Sequence, residues 1–127
     1  MQRPLFSLQN RLLVSLPDHD YALLSPHLTA VELERGRLLY DPGDRIETAY
    51  FPHEGVISLM TLMENGAAIE SATIGREGAL GLMSAVTPRV SLSRAIVQTP
   101  VKASRISAAQ LHDVWRKSAK LDRKCWI

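Results

Sequence analysis

Apolar positions change their spacing three times along this chain. Leu8, Leu12, Leu13 and Leu16 recur at helical intervals over residues 7–15, and Pro17 closes that piece. Pro17-Asp18-His19-Asp20 then opens a second short helix, with proline and acids in its first turn. Tyr21, Leu23 and Leu24 form its apolar face, and Pro26 ends it. From Leu28 the pattern alternates. Leu28 and Ala30 are followed by Val31 and Leu33, a slip of one position, as at a β-bulge.

Short strand signals follow one another from there. RLLYDPGD is a strand and a turn, with Asp41-Pro42-Gly43-Asp44 as the turn. ETAYFPHEG is a strand ended by Pro52 and Gly55. VISLMTLM and AAIESATI flank Asn65-Gly66, two residues that tolerate positive φ, and so read as a hairpin. SAVTPRVSLS is a polar loop. SRAIVQTP and VKASRIS are two strands divided by Thr99-Pro100. Ser107 is a plausible N-cap for a closing helix whose inner side carries Leu111, Val114, Trp115 and Ala119. The pattern is mainly β with flanking helices: two short helices, about eight short strands with turn signals every 8 to 12 residues, and a last helix. That spacing predicts a sandwich, a jelly roll or a barrel.

Gly75-Arg76-Glu77-Gly78 interrupts the strands, and ALGL after it can start a short helix. Glycines beside a helix start present backbone amides and a positive helix end, which is one way to hold an anion. The same residues also read as a turn that the fold needs, with Glu77 set against the helix dipole.

Composition narrows the classes. The 127 residues fit one domain with a real core, and 46% hydrophobic with 22% charged residues is ordinary for a globular protein. A net charge of +2 does not argue for nucleic acid. The single cysteine, Cys125, excludes an internal disulfide and a cysteine-ligated cluster, and suits a reducing cytoplasm. No apolar run approaches the roughly 18 residues of a membrane span, and MQRPLFSLQN lacks a signal-peptide core. His19, His27, His53 and His112 are scattered, with no His-x-His. A jelly-roll metal enzyme needs such a pair with a carboxylate, so the chain reads as non-enzymatic.

The order of motifs resembles the sensor domain of Crp/Fnr-type bacterial transcription regulators. Tyr50-Phe51-Pro52 with Gly55, and Ile74-Gly75-Arg76-Glu77-Gly78 with Gly81, carry the resemblance most specifically, and it extends from about Leu8 to Trp115. It implies a double-stranded β-helix (jelly roll) of the cyclic-nucleotide-binding type. Residues 8–106 would be the roll with its N-terminal helices, and 107–127 the start of a dimerisation helix. The resemblance also implies a homodimer through Leu111, Val114 and Trp115. DNA would be contacted only by a helix-turn-helix domain that is absent from this sequence.

The family's cyclic-nucleotide binders use a glutamate for the ribose and, further on, an arginine for the cyclic phosphate. Carried over, that implies Gly75, Arg76, Glu77 and Gly78 with Arg89, Ser93 or Arg94 as the site, and cyclic AMP, cyclic GMP or another small anionic effector as ligand. The match departs from the pattern in two places. Glu77 is followed by Gly78-Ala79-Leu80-Gly81 instead of the usual helix start, and aligning the following strand on Val97 puts Ser93, not Arg94, at the arginine position. Arg89 is nearer the expected spacing but precedes Val90-Ser91. The alternative reading is a ligand-free dimerisation module with a degenerate cassette.

Overall fold

The computed structural model describes residues 10–85 and 90–117. Its elements in chain order are α1 (Arg11–Ser15), α2 (Asp18–Leu24), a 3-10 turn (Ser25–His27), β1 (Thr29–Leu33), β2 (Leu38–Tyr40), β3 (Thr48–Leu62), β4 (Ala68–Ile74), a 3-10 turn (Leu82–Ala85), β5 (Arg94–Ser107) and α3 (Ala108–Lys117).

β3 and β5 are the axis of the roll. They pair antiparallel from Thr48↔Ser107 to Met60↔Arg94, and the sheet order is β1-β5-β3-β4, with β2 also on β5. The sequence pattern cuts each of these strands in two. Pro52 and Gly55 instead stay inside β3, and Thr99-Pro100 inside β5, because register shifts at 52/54, 54/56 and 56/57 absorb them. The result is two long bent strands, which is how a flat ribbon curls into a roll. Gly55 sits at the bend with φ +87°, and a Cβ there would lie 2.2 Å from the Pro100 carbonyl oxygen. The two strands cross too closely for any side chain.

Local signals hold better. Asn65-Gly66 does close the β3–β4 hairpin, through Met63 N–H to the Ala67 carbonyl at 2.8 Å. Only Gly66 takes positive φ; Asn65 stays out of the left-handed region and accepts the Ala67 N–H on its side chain at 3.0 Å. The Asp41–Asp44 turn is closed from both ends, by Asp44 N–H to the Asp41 carbonyl and Asp41 N–H to the Asp44 carboxylate. β1 pairs with β5 in unbroken register from Thr29↔Arg105 to Leu33↔Val101, so no bulge forms at Val31. β1 lies at the sheet edge with only Leu33 buried, and edge position removes the need for strict alternation.

Two apolar clusters share β3. Ala49 and Phe51 face the helices, packed with Leu13, Tyr21, Leu24, Ile106, Leu111 and Val114. Tyr50, pointing the other way, joins Tyr40, Leu80, Ala95 and Val97 inside the roll. Alternation along a strand thus serves a core on each face. Each fully buried side chain of this size contributes about 1.5–3 kcal/mol relative to exposure. The fold is the antiparallel jelly roll with two short N-terminal helices and one C-terminal helix that the resemblance implies.

Candidate functional site

The glycine turn after β4 is fastened from outside. Asn10 is fully buried, with 0% exposure, and uses its whole side chain. Its Oδ1 accepts from Leu12 N–H and Leu13 N–H at 3.0 and 3.1 Å, capping α1. Its Nδ2 donates to the Pro52 carbonyl at 2.6 Å and to the Gly78 carbonyl at 3.0 Å. Arg11 N–H adds a bond to the Arg76 carbonyl at 2.7 Å. One buried amide therefore joins the first helix, the bend of β3 and the turn.

The turn already holds a carboxylate. Glu77 Oε1 accepts the Gly75 N–H at 3.1 Å, and Gly78 N–H bonds the Gly75 carbonyl at 3.2 Å. Neither Gly75 nor Gly78 takes positive φ. ALGL does not start a helix. Leu80 exchanges both backbone bonds with Tyr50 at 2.9 Å, which holds it extended, and Gly81 follows at φ +87°. Helical turns begin only at Leu82.

A cavity of about 240 Å³ opens inside the roll, bordered by Leu59 on β3, Ile74 at the end of β4, residues 79–83 and residues 90–93. Tyr40 closes one side. Its ring meets that of Tyr50 edge-on at 6.4 Å, and its hydroxyl donates to the Thr48 carbonyl. Burial, with Tyr50 beside it, pushes the Tyr40 hydroxyl far above its ordinary titration range, so it stays a neutral donor.

Of the sequence-nominated residues, Ser93 lines this cavity, whereas Gly75, Arg76, Glu77, Gly78 and Arg94 do not. Arg94 Nε donates to Asp41 Oδ1 at 2.9 Å. Both side chains are part-exposed, at 35% and 42%, so this is an ordinary surface ion pair. Arg89 lies outside the described residues. Leu111 and Val114 are core, with 2% and 3% exposure, and Trp115 is half-buried beside them. No cluster of His, Cys, Asp or Glu suited to a metal occurs among the described residues. No helix among them is long and apolar enough to cross a membrane.

Pattern reading missed Asn10, because it placed a helix through that position. An Asn just before a leucine-rich segment is an N-cap signal that could have found it. It also missed His53, whose ring is 1% exposed and whose Nε2 lies 2.8 Å from Ser104 Oγ. Burial pulls the His53 pKa down from 6.5 to about 4, so the ring is neutral near pH 7.

A roll of this topology with a cavity beneath the segment after β4 is a jelly roll of the cyclic-nucleotide-binding type. Residues 30–118 match the cyclic nucleotide-binding domain family, and the chain belongs to it. No curated protein matches. Among solved structures, the N-terminal domain of a transcriptional regulator from Streptomyces coelicolor A3(2) is similar at 23% identity and TM-score 0.75, over 91% of this chain and 82% of that one. Catabolite activator protein of Thermus thermophilus is similar at 16% identity and TM-score 0.71, over 84% of this chain and 50% of that one. The c-di-GMP responsive global regulator CLP of Xanthomonas campestris is similar at 16% identity and TM-score 0.66, over 84% and 52%. The chain thus spans about half the length of the last two, and at these identities the likeness is one of fold.

Proposed function

We propose that this domain is the cytoplasmic sensor of a Crp/Fnr-like transcription regulator, in which a small effector occupies the roll cavity and α3 carries the signal outward. One observation carries the reading. Ala79 and Leu82 line the cavity, and the same two side chains belong to the cluster that buries Leu111 and Val114 of α3. A ligand that displaces the 79–83 segment must repack α3, because close-packed side chains transmit displacement. Binding energy biases α3 only as far as the two arrangements differ in affinity. In a full regulator α3 would lead toward a second subunit and a DNA-binding helix-turn-helix segment. With Leu111 and Val114 turned inward, a homodimer contact would rest on Trp115 and on residues beyond Lys117.

Calorimetric titration with cyclic AMP, cyclic GMP and cyclic di-GMP tests the anionic form of this reading, with Arg94→Ala and Arg89→Ala alongside. Micromolar heat lost in one arginine variant supports an anionic effector. That result requires Arg94 to leave Asp41, or Arg89 to supply the charge. Emission of Trp115, read in a Trp126→Phe background, reports whether α3 moves. A second reading, a ligand-free dimerisation module, draws on the turn itself, where Glu77 already occupies the Gly75 amide. A dimer of unchanged mass and unchanged Trp115 emission with every ligand tried would favour it.

A further inference from the structure

Strand alternation decides which side chains face the cavity. Ala95 and Val97 of β5 point into the roll, with 0% and 1% exposure. Adjacent strand residues face opposite sides, so Arg94 leaves by the outer face and meets Asp41 there. Ser93 takes the inward place. No charged side chain contributes to the described lining. It is aliphatic apart from Tyr40, Gly81, Met83, Ser91 and Ser93, with Leu59, Ile74, Leu80 and Leu82 among the walls. The polar groups are mostly engaged. Ser91 Oγ donates to the Ser93 carbonyl at 2.6 Å, and the Tyr40 hydroxyl donates to Thr48. The Ser93 hydroxyl makes no hydrogen bond among the described residues. Two large apolar side chains flank the cavity in water, Val90 at 52% exposure and Leu92 at 86%.

An anion placed in such a cavity loses its hydration without gaining a counter-charge from these walls. An apolar body loses nothing and removes the walls, Val90 and Leu92 from water. Resting on the sensor reading above, we infer that the cavity takes an uncharged amphiphile: an aliphatic or aromatic body against Leu59, Ile74 and Leu82, with one hydroxyl or carbonyl end on Ser93. Pockets with an apolar lining and a single orienting polar group select ligands of this kind.

The test uses the full chain and N-phenyl-1-naphthylamine, an uncharged probe that fluoresces in apolar sites. Unlabelled primary alcohols from hexanol to decanol and cyclic AMP serve as competitors. The inference expects one probe site per chain, displaced by alcohols with potency rising with chain length and untouched by cyclic AMP. Ile74→Trp fills the cavity and should weaken the probe by at least about tenfold. Ser93→Arg turns a cation inward and should weaken the alcohols while admitting cyclic AMP. Should Ile74→Trp fail to fold by circular dichroism, Leu59→Phe takes its place. Displacement by cyclic AMP and not by alcohols overturns the inference and leaves the sensor reading standing. Alcohol binding that is equal in every folded variant also overturns it, since the probe then sits elsewhere. No binding by either class, with Trp115 emission unchanged, overturns both.

Discussion

Asn10 spends four hydrogen bonds on three separate pieces of chain, so its removal is felt beyond α1. Asn10→Ala is expected to cost about 2–3 kcal/mol, because it loses a helix cap and the donor to the Pro52 and Gly78 carbonyls, the first of them in a buried bond. Asn10→Asp keeps the cap but removes both donors, and should still lose most of that. Urea denaturation of the two variants checks the order. Glycine gives a sharper contrast. Gly55 and Gly66 share nearly the same φ, +87° and +86°, but a Cβ at Gly66 meets nothing within 4 Å. Gly66→Ala should cost on the order of 1 kcal/mol for backbone conformation alone. Gly55→Ala should cost well above that, since β3 and β5 would have to separate at Pro100. Gly66 was legible in the sequence because its turn is local. The crowding at Gly55 was not, because its neighbour is Pro100, and no short window contains both.

Elements were legible where neighbours in sequence decide them, and obscured where partners far along the chain do. The two N-terminal helices, the Asp41–Asp44 turn, the β3–β4 hairpin and α3 all follow from residues a few positions apart. The breaks placed at Pro52 and at Thr99-Pro100 do not occur, because pairing between β3 and β5 carries each strand through its proline. Pro52 needs no N–H there, and its carbonyl is taken by Asn10. The site shows the same division. Glu77, Ser93 and Arg94 were all visible as candidates, but only pairing with β3 reveals that Ser93 turns in and Arg94 turns out. Arg94→Ala is accordingly expected to change stability by no more than about 1 kcal/mol, as for an exposed ion pair. On the amphiphile reading it should also leave probe affinity unchanged. Leu111→Ala, in contrast, removes a core side chain of α3 and should cost about 2–5 kcal/mol. It should also shift Trp115 emission toward that of an exposed indole, seen in the same samples.

Stability belongs to the molecule as a whole, and His53 ties it to pH. A buried neutral imidazole whose pKa falls from 6.5 to about 4 binds its proton more readily in the unfolded chain. Below pH 6.5 the unfolded state gains a proton that the folded state refuses, so stability falls as pH drops from 6.5 toward 4. The slope reaches at most about 1.4 kcal/mol per pH unit from this group. Above pH 6.5 its contribution is constant. Chemical denaturation between pH 7.5 and 4.5 should therefore show a decline that His53→Gln flattens. A profile unchanged by that substitution would assign the decline to other groups.

The buried Asn10 amide also gives the molecule a mechanical handle. It grips the Gly78 carbonyl, and Ala79, the next residue, is cavity wall. Force applied at Asn10 therefore reaches the cavity wall through its hydrogen bond to Gly78, without passing through the sheet. An affinity tag fused at the N-terminus would load that handle, whereas one fused at the C-terminus would act through α3 and its packing on Ala79 and Leu82. Ligand affinities measured on the two fusions should differ, and Asn10→Ala should abolish the effect of the N-terminal fusion alone.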